Sequence, residues 1–419
     1  MSLKLGAVAD DFTGATDLAS MLSKGGLATV LQLGLPPAGA ALPAAEAVVV
    51  ALKSRTAPVA EAVAESVASW RWMAAAGARR CYFKYCSTFD STPAGNIGPV
   101  AEALMAETGA ARTVYTPAFP ENGRTIYQGK LFVGPVLLSE SGMRDHPLTP
   151  MRDADLPRVL AAQLTRGARA GLVDWATVQA GPEAVRAALE ALAADGIAHA
   201  VVDGLVQADL DALAGAVRDD PLVTAGSGLG LSLARLLSAG AEEAVALPEV
   251  GGPAILLSGS CSLATNAQVA RWEVDGGATL RLDPVAIARQ NGTEAISAEA
   301  LSAAGAGAVL VAATAAPDQV AAVQAALGTE RAAALVEETL AAIAVRARAA
   351  GIRRFVVAGG ETSGAVAQAL GAERLAVGPS IAPGVPWCAT LRPDPIALAL
   401  KSGNFGRETF FADALGTAP

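Results

Sequence analysis

Two carboxylates stand side by side at Asp10 and Asp11, directly after the short apolar run Leu5–Ala9. That run has the character of a buried strand, and beyond Gly14 the spacing of Leu18, Met21 and Leu22 opens a helix. Carboxylates delivered to the carboxyl end of a strand can hold a substrate hydroxyl or take its proton. Asp10, the first polar residue after the strand, is the favoured base of the pair. The bland alternative is that one Asp caps the helix and the other is solvated, although Thr16 or Asp17 also has the side chain for an N-cap. Two further apolar runs end in cations. Ala47–Leu52 runs into Lys53-Ser54-Arg55-Thr56, and Arg80–Tyr85 runs into a hydroxyl-rich loop, Cys86-Ser87-Thr88-Phe89-Asp90-Ser91-Thr92. Arg55 and Lys84 suit a carboxylate or a phosphoryl group. Cations beside hydroxyl-accepting carboxylates describe a site for a small hydroxy acid.

A second kind of chemistry appears in the other half of the chain. Ser258-Gly259-Ser260-Cys261-Ser262 and Gly359-Gly360-Glu361-Thr362-Ser363-Gly364 each follow an apolar run and precede a helix. Small residues allow close backbone approach, and free N–H groups at a helix start attract phosphate. By contrast, Gly123 to Leu131 lacks the spacing and the hydroxyl of a Walker A loop, and Thr224 to Gly230 lacks the spacing of a dinucleotide fingerprint.

Apolar runs alternating with helical patterns throughout predict an α/β protein of two domains, each a mostly parallel sheet flanked by helices. The Gly- and Pro-rich stretch Ala241–Pro253 marks the boundary, giving domains 1–243 and 254–419. Strands are expected near 28–33, 113–115, 170–174, 198–203, 254–257, 308–312 and 354–357, and helices at 58–76, 182–193, 264–272, 319–326, 331–349 and 365–370. Pro117–Pro150 reads as a long loop, with a lid as its expected role.

Composition narrows the function. In 419 residues there are two His and four scattered Cys, which leaves little for a His-built metal centre or a Ser-His-Asp triad and suits a reducing cytosol. His199, inside an apolar run, reads as structural. Two Asp by position 11 preclude a signal peptide there, and the longest uncharged stretch, 25–45, is broken by Pro and Gly. The net charge of −9 argues against nucleic acid, yet Lys53–Lys130 carries nine basic against six acidic residues, which fits a small anionic ligand.

The segments Asp10-Asp11-Phe12-Thr13-Gly14-Ala15, Ser258-Gly259-Ser260 and Gly359-Gly360-Glu361-Thr362-Ser363-Gly364 together resemble the four-carbon acid sugar kinase family, over essentially the whole chain and in order. The resemblance implies a sugar-acid-binding N-terminal domain, an ATP-binding C-terminal domain and phosphoryl transfer with ATP and Mg²⁺. It implies substrate contacts from Asp10, Arg55, Lys84, Tyr85, Cys86 and Ser87, and nucleotide contacts from Ser258, Gly359, Gly360, Glu361, Thr362, Ser363 and Gly403, with the metal ligands unassigned. Asp90-Ser91-Thr92-Pro93-Ala94-Gly95-Asn96 lacks the arginine that threonate and erythronate kinases tend to carry in this loop. Together with His146-Pro147-Leu148-Thr149-Pro150, it resembles the 3-oxo-tetronate branch. A cytoplasmic enzyme, with a homodimer as its assembly, is the expectation. Two other classes fit the chain less well. An aspartyl phosphatase normally uses Asp-x-Asp, and a non-catalytic sugar-acid-binding protein is usually exported.

Overall fold

The computed structural model describes residues 2–37, 39–146, 149–238, 247–290, 293–305 and 307–419. The chain divides into two compact units, Met1–Val245 and Ala246–Pro419. The boundary read at Ala241–Pro253 falls partly on residues 239–246, and the 146–150 motif partly on Pro147 and Leu148, all outside the described residues.

The first domain runs β1 (Leu5–Ala9), α1 (Phe12–Lys24), β2 (Thr29–Leu33), β3 (Ala47–Ala51), α2 (Val59–Ala75), β4 (Cys81–Lys84), α3 (Ile97–Thr108), β5 (Thr113–Thr116), β6 (Arg124–Tyr127), β7 (Lys130–Val133), β8 (Val136–Leu137), α4 (Leu156–Ala161), β9 (Ala170–Val173), α5 (Trp175–Gln179), α6 (Pro182–Ala194), β10 (His199–Val202), α7 (Gln207–Val217), β11 (Leu222–Ala225) and α8 (Gly228–Leu237). Its main sheet is parallel throughout, in the order β2-β3-β1-β4-β11-β5-β10-β9. Strands covered on both faces need continuous apolar runs, and every residue of β1 and β3 is buried. The strand order puts β1 between β3 and β4, with Ala9 in register with both Ala51 and Lys84. The three polar strand ends read from sequence are therefore neighbours in space.

Two expectations fail here. Helix α1 starts at Phe12 with Asp11 as its N-cap, so Thr16 and Asp17 lie buried inside the helix rather than at its start. Packing of α1 on the sheet overrides the poor helix-forming character of Thr13 and Gly14. The long loop after Pro117 instead carries a three-stranded antiparallel sheet, β6-β7-β8. Its first turn uses Gln128 (φ 52°) and Gly129 (φ 70°), the positive-φ pair that two-residue hairpins favour. Both turn N–H groups donate to Asp203, to Oδ2 at 2.7 Å and Oδ1 at 2.9 Å. His199 lies buried in β10 with its Nδ1 2.9 Å from the Tyr115 hydroxyl.

The second domain runs β12 (Ala254–Ser258), α9 (Leu263–Val274), β13 (Ala278–Arg281), α10 (Pro284–Gln290), α11 (Glu294–Gly305), β14 (Val309–Ala312), α12 (Pro317–Leu327), α13 (Thr329–Ala349), β15 (Arg354–Ala358), α14 (Gly360–Ala369), β16 (Arg374–Ala382), β17 (Val385–Thr390), β18 (Ala397–Lys401) and α15 (Phe410–Gly416). Strands β13-β14-β12-β15-β18 are parallel, and β17 and β16 continue the sheet antiparallel. Leu256, Leu310, Val356, Trp387, Phe410 and Phe411 form its core, and the Trp387 indole donates to the Ala414 carbonyl at 3.1 Å. Helix α14 begins at Gly360, so Glu361, Thr362 and Ser363 are its first turn rather than a loop before it. Among the described residues no helix is long and apolar enough to cross a membrane.

Candidate functional site

In the first domain the polar cluster is assembled by main-chain pairing. The Asp10 N–H donates to the Lys84 carbonyl, and the Asp10 carbonyl receives the N–H groups of Ser54 and Arg55. With the backbones fixed, Arg55 becomes the hub. Its Nε and Nη2 reach Asp10 Oδ2 and Oδ1, both at 2.9 Å, its Nη2 lies 2.8 Å from Asp11 Oδ1, and its Nη1 lies 3.5 Å from Asp90 Oδ2. Asp11 also caps α1: its Oδ1 accepts from the Gly14 N–H at 2.9 Å and its Oδ2 from the Thr13 hydroxyl at 3.0 Å. Asp90 receives the Thr88 hydroxyl at 2.6 Å, and Thr88 lies 3.0 Å from Cys86 Sγ.

The two adjacent carboxyls are pushed apart. Burial raises Asp10 against the pull of Arg55. Burial also works on Asp11, but Arg55, then Lys84, then the Thr13 and Gly14 hydrogen bonds outweigh it and hold Asp11 below its ordinary value. Paired titratable groups with opposite shifts are the usual pattern of an acid–base site. Lys84 is buried and, among the described residues, donates one hydrogen bond, to the Tyr85 carbonyl at 2.7 Å. Asn96 ties the neighbouring loops together, donating to Ser54 O at 2.7 Å and Ala57 O at 2.9 Å. A narrow crevice opens on Asp10, Ser54, Arg55, Asp90, Ser91 and Asn96. Asp90 and Asn96 also belong to the site geometry, and the sequence signal for them is their place in the loop that follows Lys84.

The structure therefore brings Asp10, Asp11, Arg55, Lys84 and Cys86 together at the ends of β1, β3 and β4. Tyr85 points elsewhere. Its ring is fully buried against Phe83 and Phe89, with its hydroxyl bonded to the Thr224 carbonyl at 3.0 Å, and burial pushes that hydroxyl's pKa up.

In the second domain an open cleft of about 880 Å³ lies over the carboxyl ends of β12, β13, β14 and β15. One end is lined by Gly259, Ser260, Gly359, Gly360, Glu361 and Thr362. The lining from α12 and α13 is mixed, with Val320, Val323, Ala332 and Val336 beside Gln319, Gln324 and Glu337, and Arg281 and Asp283 join it from the end of β13. Gly359 has φ 126° and ψ 133°, a conformation open to glycine and hostile to other residues. A Cβ there would stand 3.2 Å from the Ser260 N, and one on Gly259 would stand 2.1 Å from Thr362 Oγ1. The two loops thus approach as closely as glycine permits.

Ser258 and Gly403 support this wall rather than line it. Ser258 is buried, its hydroxyl 2.6 Å from that of Thr314, which donates to the Ser260 carbonyl at 2.8 Å. The Gly403 carbonyl accepts from Ser262 at 2.7 Å and Thr265 at 2.8 Å. Ser363 is buried in α14, its N–H donating to the Gly359 carbonyl at 2.8 Å. Among the described residues no group of three or more His, Cys, Asp or Glu gathers as a metal site. Mg²⁺ needs no such group, because it is usually held by one or two carboxylates, waters and the phosphates themselves.

Residues 5–233 match the family model described as "Sugar-binding N-terminal domain", and residues 255–411 match "Nucleotide-binding C-terminal domain". A 3-oxo-tetronate kinase of Burkholderia multivorans is 54% identical, with 98% of this chain and 96% of the relative covered. The 3-oxo-tetronate kinase of Salmonella typhimurium is 45% identical, with 98% of each chain covered. Two crystal structures share the fold. One, of a Salmonella typhimurium LT2 protein described as a candidate tRNA synthase, has a TM-score of 0.89 at 45% identity, covering 98% of each chain. The other, of a Haemophilus influenzae protein, has a TM-score of 0.82 at 45% identity, covering 98% of this chain and 99% of that one.

Proposed function

The chain belongs to the four-carbon acid sugar kinase family, and from that premise we propose that it transfers the γ-phosphoryl group of ATP to the C4 hydroxyl of a 3-oxo-tetronate. The observation that carries this reading is the division of labour between two strand-end sites. The first domain offers Arg55 among the carboxylates of Asp10 and Asp90 in a narrow crevice, with Asp11 paired to the same guanidinium. The second offers an open cleft that takes in the glycine loops at the start of α14 and a mixed apolar and polar lining from α12 and α13.

In this mechanism Lys84 meets the substrate carboxylate or the transferring phosphoryl group. Arg55, already gripped by Asp10, Asp11 and Asp90, acts mainly by holding those carboxylates in place. Asp10, raised by burial, takes the C4 hydroxyl proton, while Asp11 stays ionised and orients the substrate. The Gly359–Thr362 backbone would cradle the phosphates, and Mg²⁺ carried in with them would supply charge neutralisation at the phosphoryl oxygens. Positioning and electrostatics then supply the acceleration. A cytoplasmic location goes with this proposal and is supported by the need for ATP and by four free thiols. The homodimer is carried with it, to be read by light scattering of the purified protein.

Incubation with ATP, Mg²⁺ and a panel of 3-oxo-tetronates, threonate and erythronate tests the reading. ADP release with a 3-oxo-tetronate well above the others is expected. Faster release with threonate or erythronate would move the substrate, and no release above the ATP-only background would end the kinase reading.

A further inference from the structure

Lys401 closes β18, next to Ala358 at the end of β15, and its carbonyl accepts the Gly359 N–H at 2.9 Å. Its side chain is wholly buried. The ammonium donates to Thr265 Oγ1 at 3.1 Å, Ser402 O at 3.0 Å and Gly403 O at 3.1 Å, and lies 5.5 Å from the centre of the Phe410 ring. Among the described residues no carboxylate pairs with it. On the elements packed around it, Glu273 pairs with Arg281, Arg271 with Asp275, and Asp413 accepts from the Thr409 hydroxyl. Glu361, Arg407 and Glu408 are exposed. A buried charge with no counter-charge is costly and calls for an explanation.

The surroundings of Gly403 supply one. Its carbonyl is held by Lys401, and a Cβ on Gly403 would stand 2.4 Å from the Ser260 hydroxyl, which belongs to the cleft wall. Lys401 thus stands one layer behind the Ser260–Ser262 loop and joins it, through its own carbonyl, to Gly359.

We propose that Lys401 is a positioning residue of the nucleotide site: its ammonium locks the Ser402–Gly403 carbonyls and Thr265 behind the Ser260–Ser262 loop, and its charge is answered by the polyphosphate of bound ATP. This rests on reading the second-domain cleft as the ATP site. Burial brings the lysine from its ordinary 10.5 down to about 7, and a polyanion beside it favours the charged form. Binding of ATP above neutral pH therefore draws a proton onto Lys401.

Calorimetry of ATP binding to the full chain at pH 8, in buffers of different ionisation enthalpy, tests this. ATP is already fully ionised there, so any uptake comes from the protein. The expected result is uptake of roughly half a proton or more in the wild type. In Lys401→Arg, whose guanidinium stays charged, uptake should vanish while ATP affinity stays within about threefold. Lys401→Met should lose at least tenfold in ATP affinity. Clear ATP binding with a buffer-independent enthalpy, or undiminished uptake in Lys401→Arg, would overturn the proposal. If Lys401→Met fails to fold, the wild type and Lys401→Arg still decide. Absence of ATP binding to the wild type would overturn the cleft reading itself, and this inference with it.

Discussion

Arg55 grips Asp10 edge to edge, with Nε on Oδ2 and Nη2 on Oδ1, both at 2.9 Å. The pair is 45 residues apart in sequence and joins the ends of adjacent strands. Removing one partner leaves a buried, uncompensated carboxylate. Arg55→Ala should therefore cost about 3–5 kcal/mol of first-domain stability, read by denaturant titration. Arg55→Lys should recover part of it, since an ammonium cannot bond both oxygens in the same fork. In the folded lysine variant the sugar-acid KM should rise with little change in the ATP KM. Equal losses toward both substrates would point to domain-wide damage instead.

Asp10 and Asp11 should separate by their neighbours. Asn is as good an N-cap as Asp, so Asp11→Asn should keep the cap but lose the charge-assisted contact to Arg55, at a cost of about 1–3 kcal/mol. Asp10→Asn leaves Arg55 with half of its bidentate partner and should be the less stable of the two. As the proposed base, Asp10 should also carry the larger kinetic loss, on the order of a hundredfold in kcat. Wild-type turnover in both variants would make this strand end structural.

Asp17 gives a pH signature. It is buried in α1, accepts the Ser227 hydroxyl on Oδ2, and among the described residues has no hydrogen-bond partner for Oδ1. Burial, only partly offset by Lys84 and Ser227, brings its carboxyl from 3.8 up to about 6. The folded state then binds the proton before the unfolded chain does, so this group weakens the fold as pH rises from about 4 to about 6. The cost should be fully present above that window, at about 3 kcal/mol. Asp17→Asn should be the more stable protein at pH 8, and its advantage should vanish near pH 4. A wild-type-minus-variant difference that is flat with pH would refute the assignment.

Gly359 should tolerate no side chain. Gly359→Ala combines a strained φ with a Cβ 3.0 Å from Thr362 Oγ1 and 3.2 Å from the Ser260 N. A destabilisation of about 1–3 kcal/mol is expected from the backbone alone. ATP affinity should fall while sugar-acid binding stays intact, both measured by calorimetry. Gly259→Ala, aimed at Thr362 Oγ1, should be partly rescued by Thr362→Ala, because residues in direct contact are not additive.

The parallel strands were legible in the sequence because burial on both faces demands unbroken apolar runs, as in Ala47–Ala51. The convergence of Asp10, Arg55 and Lys84 followed from that alternation. Their pairing did not, because it depends on strand order, and nothing local to residue 55 says that β1 lies beside β3. The start of α14 is not legible in the sequence because Gly360 is a poor helix former, and here the close approach of two loops outweighs propensity. The antiparallel strands β16 and β17 went unread, since their burial pattern gives no clean alternation.

The substrate-side cluster hangs from main-chain hydrogen bonds between β1, β3 and β4 rather than from the packing of its own side chains. The loop from Cys86 to Asn96 ties onto that framework at two points, through Asp90 to Arg55 and through Asn96 to the Ser54 and Ala57 carbonyls. That separates what must be inherited from what can drift. Strand ends fix where the proposed sugar-acid site lies, while Pro93 and Ala94 between those two anchor points are exposed and free to be exchanged without disturbing it.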